Sequence, residues 1–429
     1  MIGLVSCLLP VAFCDMCNDV LDDRGARIVD TTRDFTTDFD HFDPVFVENM
    51  ATVTADLRAR CPVAHGKAYG GFWVFSRYDD IMMAIRDEKT FSSKDGTAIP
   101  WVERDIRALP VESDPPEHTK YRNLLASWFV ARKVNRYESI VRRMVTELIN
   151  AFIEQGTCDF IASLAMPLAV SVIPPAMGFE PKEWPLLTNF MKDVLTTTDD
   201  ENIKARHRFV RHMFREMERR KTKPRDDFLT TLVMAQPDGE PLSGEEVVAL
   251  MITFLTAGFE TTSNALGNLL LCLIEYPHER QALIDTPASI PLFVEESLRY
   301  EPPLQYVGRN LKQDLCLHGQ ELQTDQKVFL LLGSANRDEA RFPNAGQFIP
   351  DRQPNRHVTF GYGVHFCVGA PLARLQMRIA TEEVLRRLPD YQLCRPVKRA
   401  FSTGQVYGVE TLPVVFTPGN IERLSQDDV

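Results

Sequence analysis

The chain has 429 residues, which is enough to bury a large core and, judged by length alone, to form two or three domains. Hydrophobic residues make up 44% of it and charged residues 25%, a composition that excludes collagen-like, disordered and polytopic membrane proteins. The net charge of -11, from 59 acidic against 48 basic residues, argues against nucleic acid or an anionic bilayer as the main partner.

The N-terminal segment, residues 1–35, is predicted to be a disordered extension. Its apolar run, residues 2–13, is about a dozen residues long, too short to span a bilayer, and no Lys or Arg precedes it as in a signal peptide. A contact with a membrane or a partner is the alternative, but no stable membrane anchor is predicted. Cys14 and Cys17 form a lone CxxC without a second pair, a weak signal for zinc or redox chemistry. The nine cysteines are irregularly spaced, which favours a reducing, cytoplasmic location.

The rest of the chain, residues 36–429, is predicted to form a single domain because it contains no linker, low-complexity tract or internal repeat. Apolar residues at i, i+3 and i+4 predict helices over 78–87, 118–129, 134–155, 182–194, 203–220, 243–275, 291–300 and 372–388. Strands are predicted over 71–75, 315–317, 327–332 and 412–416. The fold class is therefore mainly α with small β-sheets.

One predicted helix stands out by its length. Ser243 and Glu246 form a capping box, and the apolar pattern that follows runs to Glu275, over about 48 Å at 1.5 Å per residue. Its middle, residues 257–262, reads Ala-Gly-Phe-Glu-Thr-Thr, and burying the acid there costs several kcal/mol unless the acid is used. A satisfied core carboxylate, with threonines hydrogen-bonded to the preceding turn, is the alternative at this point.

The segment 360–374 reads Phe-Gly-Tyr-Gly-Val-His-Phe-Cys-Val-Gly-Ala-Pro-Leu-Ala-Arg and precedes an amphipathic helix. Backbone N–H groups and a helix N-terminus near Cys367 would stabilise its thiolate, which is the form of cysteine that binds metals. Because no second Cys or His stands at zinc-finger spacing, a four-ligand zinc site is disfavoured, whereas one axial thiolate suits haem iron. The alternative for any lone cysteine is an inert residue in a glycine-rich turn.

Three segments resemble motifs of the cytochrome P450 family, and they occur in the family's order. Residues 360–374 resemble the haem-binding loop, residues 257–262 the oxygen-activation segment, and Glu296 with Arg299 the ExxR helix, with Arg352 in the place of the third member of that ion-pair network. The resemblance covers residues 40–416 and is closest to the soluble bacterial members, including the camphor-hydroxylating type. It implies a single-domain cytochrome P450 fold with a long central helix over haem b, whose axial ligand is Cys367.

The resemblance also assigns residues around the haem. Two buried propionates need cationic or donor partners, and His118, Arg122, Arg309, His357 and His365 stand at the expected places. Further cofactor contacts are expected from Ala257, Gly258, Phe360, Gly361 and Gly369. Gly258 and Ala257 would leave room between helix and porphyrin.

Catalysis is assigned to two neighbours on the long helix. Thr261 would hold dioxygen and a water by hydrogen bonds, and Glu260 would relay protons from solvent as a general acid. Glu296, Arg299 and Arg352 would have a structural role, holding the cysteine loop in place. The substrate pocket is expected to be apolar and to be lined by Ile99, Trp101, Ile106, Leu250, Phe254, Leu304, Tyr306, Val307 and Val406.

The activity implied by the resemblance is that of a monooxygenase, which inserts one atom of dioxygen into a C–H bond of a small or medium hydrophobic substrate. No flavin, nicotinamide or iron–sulfur segment fits beside the haem domain, so electrons would come from a ferredoxin or flavodoxin with its NAD(P)H-dependent reductase. A docking face for that partner is predicted, against ordinary solvated charges, from Lys120, Arg132, Lys133, Arg356, Arg374 and Arg378.

Two departures from the family pattern and three alternatives stay open. Gln376 stands where many bacterial relatives have Glu, and Ile106 stands where the camphor enzyme has a tyrosine, which makes camphor a poor substrate guess. A peroxide-driven peroxygenase or a nitric oxide reductase would not activate dioxygen, and the Glu260–Thr261 pair argues against both. A non-catalytic haem sensor or carrier would need Cys367 but not that pair.

Overall fold

In the computed structural model the described residues are 33–100, 106–196, 200–402 and 405–423. Residues 1–32, with Cys14, Cys17 and most of the predicted N-terminal extension, lie outside them, as does Trp101. Within residues 33–35, Arg33 pairs with Asp43 (2.6 Å) and Phe35 is buried against Phe39. No helix among the described residues is both long and apolar enough to cross a bilayer.

Helices dominate the fold. They are α1 (Pro44–Glu48), α2 (Met50–Arg60), α3 (Tyr78–Arg86), α4 (Glu117–Ala126), α5 (Ala131–Val134), α6 (Glu138–Asn150), α7 (Met166–Ala176), α8 (Trp184–Thr196), α9 (Asp200–Thr222), α10 (Phe228–Met234), α11 (Gly244–Glu275), α12 (Pro277–Asp285), α13 (Ile290–Tyr300), α14 (Leu332–Ala335) and α15 (Ala370–Arg387). The predicted mainly α fold class is confirmed.

The strands are short. They are β1 (Val63–Gly66), β2 (Phe72–Phe75), β3 (Phe91–Ser92), β4 (Thr157–Asp159), β5 (Tyr306–Leu311), β6 (Leu315–Leu317), β7 (Gln320–Leu322), β8 (Lys327–Leu331), β9 (Gln392–Leu393), β10 (Lys398–Ser402), β11 (Val406–Thr411) and β12 (Pro413–Val415). The largest sheet has the order β1-β2-β8-β5-β3, in which only the β2–β8 pair is parallel. Smaller sheets are β4-β12-β9, β10-β11 and β6-β7.

Two hydrophobic clusters form the core. The larger one surrounds α11, which packs against α7, α13 and α15, and the smaller one lies around the five-stranded sheet. The cluster around α11 explains why this helix is apolar on nearly every side over its second half, where residues 265–273 are all buried.

The start of α11 is held as its sequence predicts. Ser243 Oγ accepts from the Glu246 backbone N–H (3.1 Å), and the Glu246 carboxylate accepts from the Ser243 N–H (2.7 Å). The same carboxylate also accepts from Lys120 Nζ (2.8 Å) and from Tyr121 Oη (2.7 Å) on α4. Burial opposes its ionisation, but these donors outweigh it and hold the pKa of Glu246 at about 2. The capping box therefore also fixes α4 against α11.

Several elements depart from the periodicity prediction. Residues 134–155 form not one helix but α5, a 3₁₀ turn, α6 and a second 3₁₀ turn. The helix α7 was not predicted, because it is apolar on all sides and contains Pro174 and Pro175, so it has no amphipathic stripe to detect. A single π-helical turn, Ile161–Ala165, leads into it.

Candidate active site

The cysteine loop is shaped by two glycines in the left-handed region. Gly361 has φ +69° and Gly363 has φ +65°, values that side chains other than glycine rarely adopt. The turn brings the Cys367 N–H to the Phe360 carbonyl (2.8 Å) and places Cys367 just before α15. The backbone N–H groups of Gly369 and Ala370 donate to the cysteine sulfur. A Cβ at residue 369 would lie 3.9 Å from that sulfur, in ordinary contact.

Cys367 lines an open space within the fold. The residue lies deep among protein atoms, yet it retains accessible surface, so that surface faces a cleft or cavity. Burial raises the pKa of the thiol, and the two backbone donors and Arg122 act against that rise. A cation placed against the sulfur would complete the stabilisation of a thiolate.

The middle of α11 offers accessible surface too. Ala257 is exposed although Leu255 and Phe259, on either side of it, are buried. Thr261, one turn later, donates its hydroxyl to the Ala257 carbonyl (2.6 Å). A threonine bonded to the preceding turn is the alternative interpretation stated above for this segment. Because the hydroxyl donates its proton to that carbonyl, the lone pairs of its oxygen stay available as acceptors. Glu260 is half-buried, and its backbone carbonyl accepts from the Asn264 amide (2.8 Å).

Gly258 packs closely against α7. A Cβ built there would lie 3.1 Å from the Cδ1 of Ile173 on that helix. The missing side chain therefore leaves room for α7, and the space it would also leave beside a porphyrin stays a prediction. Of the Ala257–Gly258 pair, it is Ala257 that has the exposed surface.

Four cationic or donor side chains converge beside Cys367. The rings of His118 and His365 have centroids 4.5 Å apart, and Arg122 and Arg309 lie within electrostatic reach of His365. Burial is the first cause of every pKa shift in this group: it lowers the pKa of His118 and Arg122, that of Arg309 to about 10 and that of His365 to about 3. Neither arginine has a carboxylate within ion-pair distance among the described residues, although Asp114 acts on Arg309 from farther away. Burying charges without partners costs several kcal/mol, so this group is a site for anionic oxygens.

The hydrogen bonds of these four residues leave donors free. Arg309 Nη1 donates to its neighbour's carbonyl, Gly308 O (2.7 Å), and His365 Nε2 meets Ser93 Oγ at 3.2 Å. His118 is 2% exposed, and its Nδ1 has no partner. Two carboxylates, such as the propionates of a haem, would satisfy these donors, and the cysteine would supply the metal ligand. The residues present therefore fit a haem.

His357 does not belong to this group, which corrects the prediction that it contacts a propionate. Its Nε2 lies 3.1 Å from Glu295 Oε2, and its Nδ1 accepts from the Thr359 N–H (3.3 Å), so both nitrogens are occupied by protein. Arg374 binds the same Glu295 carboxylate in two places (2.6 and 2.8 Å) and stacks on Phe360 (4.4 Å to the ring centroid). Burial would raise the pKa of Glu295, but Arg374 and His357 lower it to about 2. No role was predicted for Glu295, because an acid next to the ExxR glutamate matches no motif of its own.

The structure brings Glu296, Arg299 and Arg352 together as a buried network. Arg299 binds the Glu296 carboxylate in a bidentate pair (2.7 and 2.8 Å), and Arg352 Nε reaches the same carboxylate at 3.2 Å. The remaining Arg299 N–H groups donate to the carbonyls of Asn336, Ala345 and Gln347. All three side chains are at most 8% exposed. Every charge in this network has a partner, which is what a structural role requires.

The predicted pocket residues divide into two groups. Ile106, Leu304 and Val307 are half-buried, and Val307 alternates with buried neighbours along β5, so it points to the opposite face of the strand from Tyr306. Ile99, Leu250, Tyr306 and Val406 are buried, and Phe254 is half-buried.

Two of these positions correct the prediction. Tyr306 stacks on Phe329 (3.5 Å between centroids) and donates its hydroxyl to the Ile99 carbonyl (3.1 Å), so it is a core residue of the five-stranded sheet. Phe254 stacks on Phe129 (4.6 Å) and lies near Phe228 (5.5 Å), so its ring joins an aromatic cluster with α10. An apolar helix position indicates burial but not which neighbour buries it.

The six basic residues of the predicted docking face are not equally available. Lys120 pairs with Glu246 (2.8 Å), Arg374 with Glu295, and Arg378 with Glu382 (2.8 Å) and Glu138 (3.0 Å). Arg132 and Arg356 are exposed and Lys133 is half-buried, and none of the three has a carboxylate partner in the described part of the chain. Lys133 lies over the ring of Trp128 (3.9 Å).

Comparisons with known proteins identify the family. The family model described as Cytochrome P450 matches residues 177–285 and 290–393. Steroid C26-monooxygenase of Mycolicibacterium smegmatis is 33% identical over 376 residues, covering 84% of this chain and 91% of the relative. The solved structure of cytochrome P450 CYP109Q5 from Chondromyces apiculatus superposes with a TM-score of 0.83 at 30% identity, covering 90% of this chain and all of that one. CYP109E1 from Bacillus megaterium, solved in complex with corticosterone, gives 0.78 at 29% identity, with coverages of 86% and 98%.

The chain belongs to the cytochrome P450 family, whose members are haem-thiolate enzymes. It is a cytochrome P450 monooxygenase by class, with the fold of the bacterial members. The resemblance stated from three sequence motifs is thereby confirmed.

Proposed function

We propose that this cytochrome P450 binds haem b through Cys367 and hydroxylates a C–H bond of a hydrophobic molecule, with electrons from a separate redox protein. The observation that carries the proposal is the convergence of one accessible cysteine with four buried or half-buried cationic or donor side chains that lack carboxylate partners among the described residues. That combination matches a ligand with one metal ion and two carboxylates.

The haem, when bound, supplies dioxygen activation and the oxidation of the substrate. The residues of this chain hold and orient it. Arg122, Arg309, His118 and His365 would bind the two carboxylates, which would restore the ionisation that burial disfavours in the free side chains. Phe360, Gly361 and Gly369 shape the cysteine loop, whose N–H donors at Gly369 and Ala370 lower the basicity of the sulfur.

Proton delivery falls to α11. With its own proton donated to the Ala257 carbonyl, the Thr261 hydroxyl accepts a hydrogen bond from a water in the cavity, and so holds that water in place. Glu260, the preceding residue, relays protons to that water as a general acid. A peroxygenase, a reductase that does not activate dioxygen or a haem sensor would not need this pair of residues, so the pair supports a monooxygenase.

The substrate class follows from the lining and from the relatives. Ile106, Leu304 and Val307 offer apolar, half-buried surface without a charged group. The named relatives include a steroid C26-monooxygenase and a protein solved with corticosterone. We therefore favour a hydrophobic substrate of medium size, such as a steroid-like polycycle, over a small terpene.

The electron donor would be a ferredoxin or flavodoxin with its NAD(P)H-dependent reductase, in the cytoplasm. Of the six predicted cations, Arg132, Lys133 and Arg356 have no carboxylate partner in the described chain, and they could attract an acidic partner. Such an electrostatic contact makes electron transfer slower as ionic strength rises.

The deciding experiment is the absorption spectrum of the reduced, carbon monoxide-bound protein. We expect the Soret band at the position typical of thiolate-ligated haem, which differs from the position for histidine-ligated haem. Cys367→Ser should lose this band, and the exposed Cys316→Ser should keep it as the matched control. A wild-type spectrum typical of histidine ligation would overturn the proposal. Titration of the oxidised protein with steroids, read as the shift of iron from low to high spin, then tests the substrate class.

A further inference from the structure

A second cluster of metal-ligating groups lies apart from the haem cavity and uses none of its residues. Glu183 ends the 3₁₀ turn before α8, and His212 and Glu216 stand four residues apart on one face of α9. The three side chains are 7%, 9% and 2% exposed, respectively. One donor atom from each lies within 4.8 Å of the others.

Two of the donor atoms have no hydrogen-bond partner. Glu183 uses one oxygen to accept from the Glu180 N–H (2.9 Å), which closes a capping box, and its other oxygen, Oε1, is buried without a hydrogen bond. His212 Nε2 is equally buried and without a hydrogen bond. The two atoms face each other at 3.3 Å but are not aligned for a hydrogen bond. A buried polar atom left in this state needs a partner.

The separation of these two atoms suits a shared cation. Zinc binds His nitrogen and carboxylate oxygen at about 2.0–2.1 Å, so two ligands of a tetrahedral zinc lie about 3.4 Å apart. The 3.3 Å between Glu183 Oε1 and His212 Nε2 matches that spacing. An imidazole beside two carboxylates favours zinc over calcium or magnesium, which prefer oxygen ligands alone.

The local charges leave room for a divalent cation. Arg220 is fully buried and pairs with the buried carboxylates of Glu216 (2.9 Å) and Asp227 (2.8 Å), while the buried Glu183 has no arginine or lysine partner among the described residues. Arg219 also reaches Glu216 (2.5 Å), but it is 65% exposed and is therefore screened by water.

Glu216 can serve both its arginines and a metal. Its two oxygens each hold one guanidinium, and each carboxylate oxygen has a second lone pair. From these contacts we propose that Glu183, His212 and Glu216 form a zinc site that joins the start of α8 to α9. Three protein ligands leave a fourth position for water.

Zinc binding to the full-length, haem-loaded protein tests this site. After dialysis against zinc chloride, we expect one tightly bound zinc per haem in the wild type, measured by elemental analysis, and a higher unfolding temperature than without zinc. Glu183→Gln and His212→Gln should each bind zinc at least about 10-fold more weakly, because losing a direct ligand costs more than losing an outer contact. The exposed His278→Gln should match the wild type.

Three results would overturn the site. The first is a wild type that takes up no zinc, and the second is equal zinc affinity in wild type, Glu183→Gln and His212→Gln. The third can be tested even if both variants fail to fold, because it uses X-ray absorption at the zinc edge of the wild type. The site predicts only nitrogen and oxygen ligands, with one imidazole among them. Sulfur in that coordination sphere would place the zinc at a cysteine instead.

Discussion

Two buried charged clusters flank the cysteine loop, and they differ in whether their charges are balanced. In the network of Glu296, Arg299 and Arg352, every donor that the structure gives the two arginines ends on a carboxylate or a backbone carbonyl. In the group of Arg122, Arg309, His118 and His365, neither arginine has a carboxylate partner among the described residues. The charges of the first cluster are balanced without a ligand, whereas those of the second would be balanced by the carboxylates of a haem. The difference predicts which residues support the fold and which would bind the cofactor.

The largest effect is expected in the balanced network. Arg299→Ala leaves the buried Glu296 carboxylate with Arg352 as its one cation among the described residues and removes bonds to three carbonyls, so we expect a loss of about 3–5 kcal/mol in the free energy of unfolding. Haem occupancy should fall with it, because the network holds the segment that leads into the cysteine loop. Arg299→Lys should not restore stability, since an ammonium cannot reproduce the bidentate pair.

Urea unfolding and haem content per chain measure this effect. Arg60→Ala is the matched control, because Arg60 pairs with Asp56 on the exposed face of α2, where water screens the pair, and its loss should change the stability little. Full haem occupancy and unchanged stability in Arg299→Ala would contradict a structural role for the network.

The unbalanced group should respond in the opposite way. Arg309→Met removes a buried cation that has no carboxylate partner in the described structure, so the haem-free protein should be as stable as the wild type or more stable. Haem binding should weaken about 10- to 100-fold, because a hydrogen bond between charged groups contributes about 1.5–3 kcal/mol. The measurements are the rate of haem transfer to an acceptor protein and urea unfolding without haem. A haem-free variant as unstable as Arg299→Ala would show that Arg309 supports the fold instead.

A third kind of buried group is His41, which has no carboxylate partner among the described residues and is not predicted to bind a ligand. It is fully buried among aromatic rings, including those of Phe329 and Tyr306, and burial lowers its pKa to about 3 despite a backbone contact with Ile99. The unfolded chain binds this proton near pH 6.5, the folded one only near pH 3. Stability from a neutral His41 is therefore present above pH 6.5 and lost as pH falls, by up to about 1.4 kcal/mol per pH unit.

His41→Phe isolates this effect, since other buried histidines titrate in the same range. The free energy of unfolding, measured from pH 7 to about pH 5, should fall less steeply in the variant than in the wild type. His278→Phe, at an exposed site, should leave the slope unchanged. Parallel curves for wild type and His41→Phe would show that His41 is protonated in the folded state.

The sequence predicted contacts between residues that lie close together in the chain. It did not predict contacts that depend on a residue far away in the chain. The capping box of α11 and the pairing of Glu296 with Arg299 were readable because both partners lie within four residues of each other. Glu295 capturing His357, Ile173 filling the space at Gly258, and Tyr306 stacking on Phe329 each depend on residues at least 20 positions away. Family resemblance supplied the order of the motifs, but it did not predict which of two adjacent acids would bind which base.

The smallest effect on the fold is expected at Thr261, whose hydroxyl is satisfied locally and whose side chain is only half-buried. Its hydroxyl bonds to the Ala257 carbonyl within the same helix and holds no other element in place, so Thr261→Ala should keep stability and haem content close to those of the wild type. If the hydroxyl holds the water that delivers protons, the variant should consume reductant as before but release peroxide, with several-fold less hydroxylated product per electron pair. Thr261→Ser keeps the hydroxyl and should keep most of the coupling. Equal coupling in Thr261→Ala would leave the hydroxyl with only its helical bond, and proton delivery would then have to run through Glu260 without it.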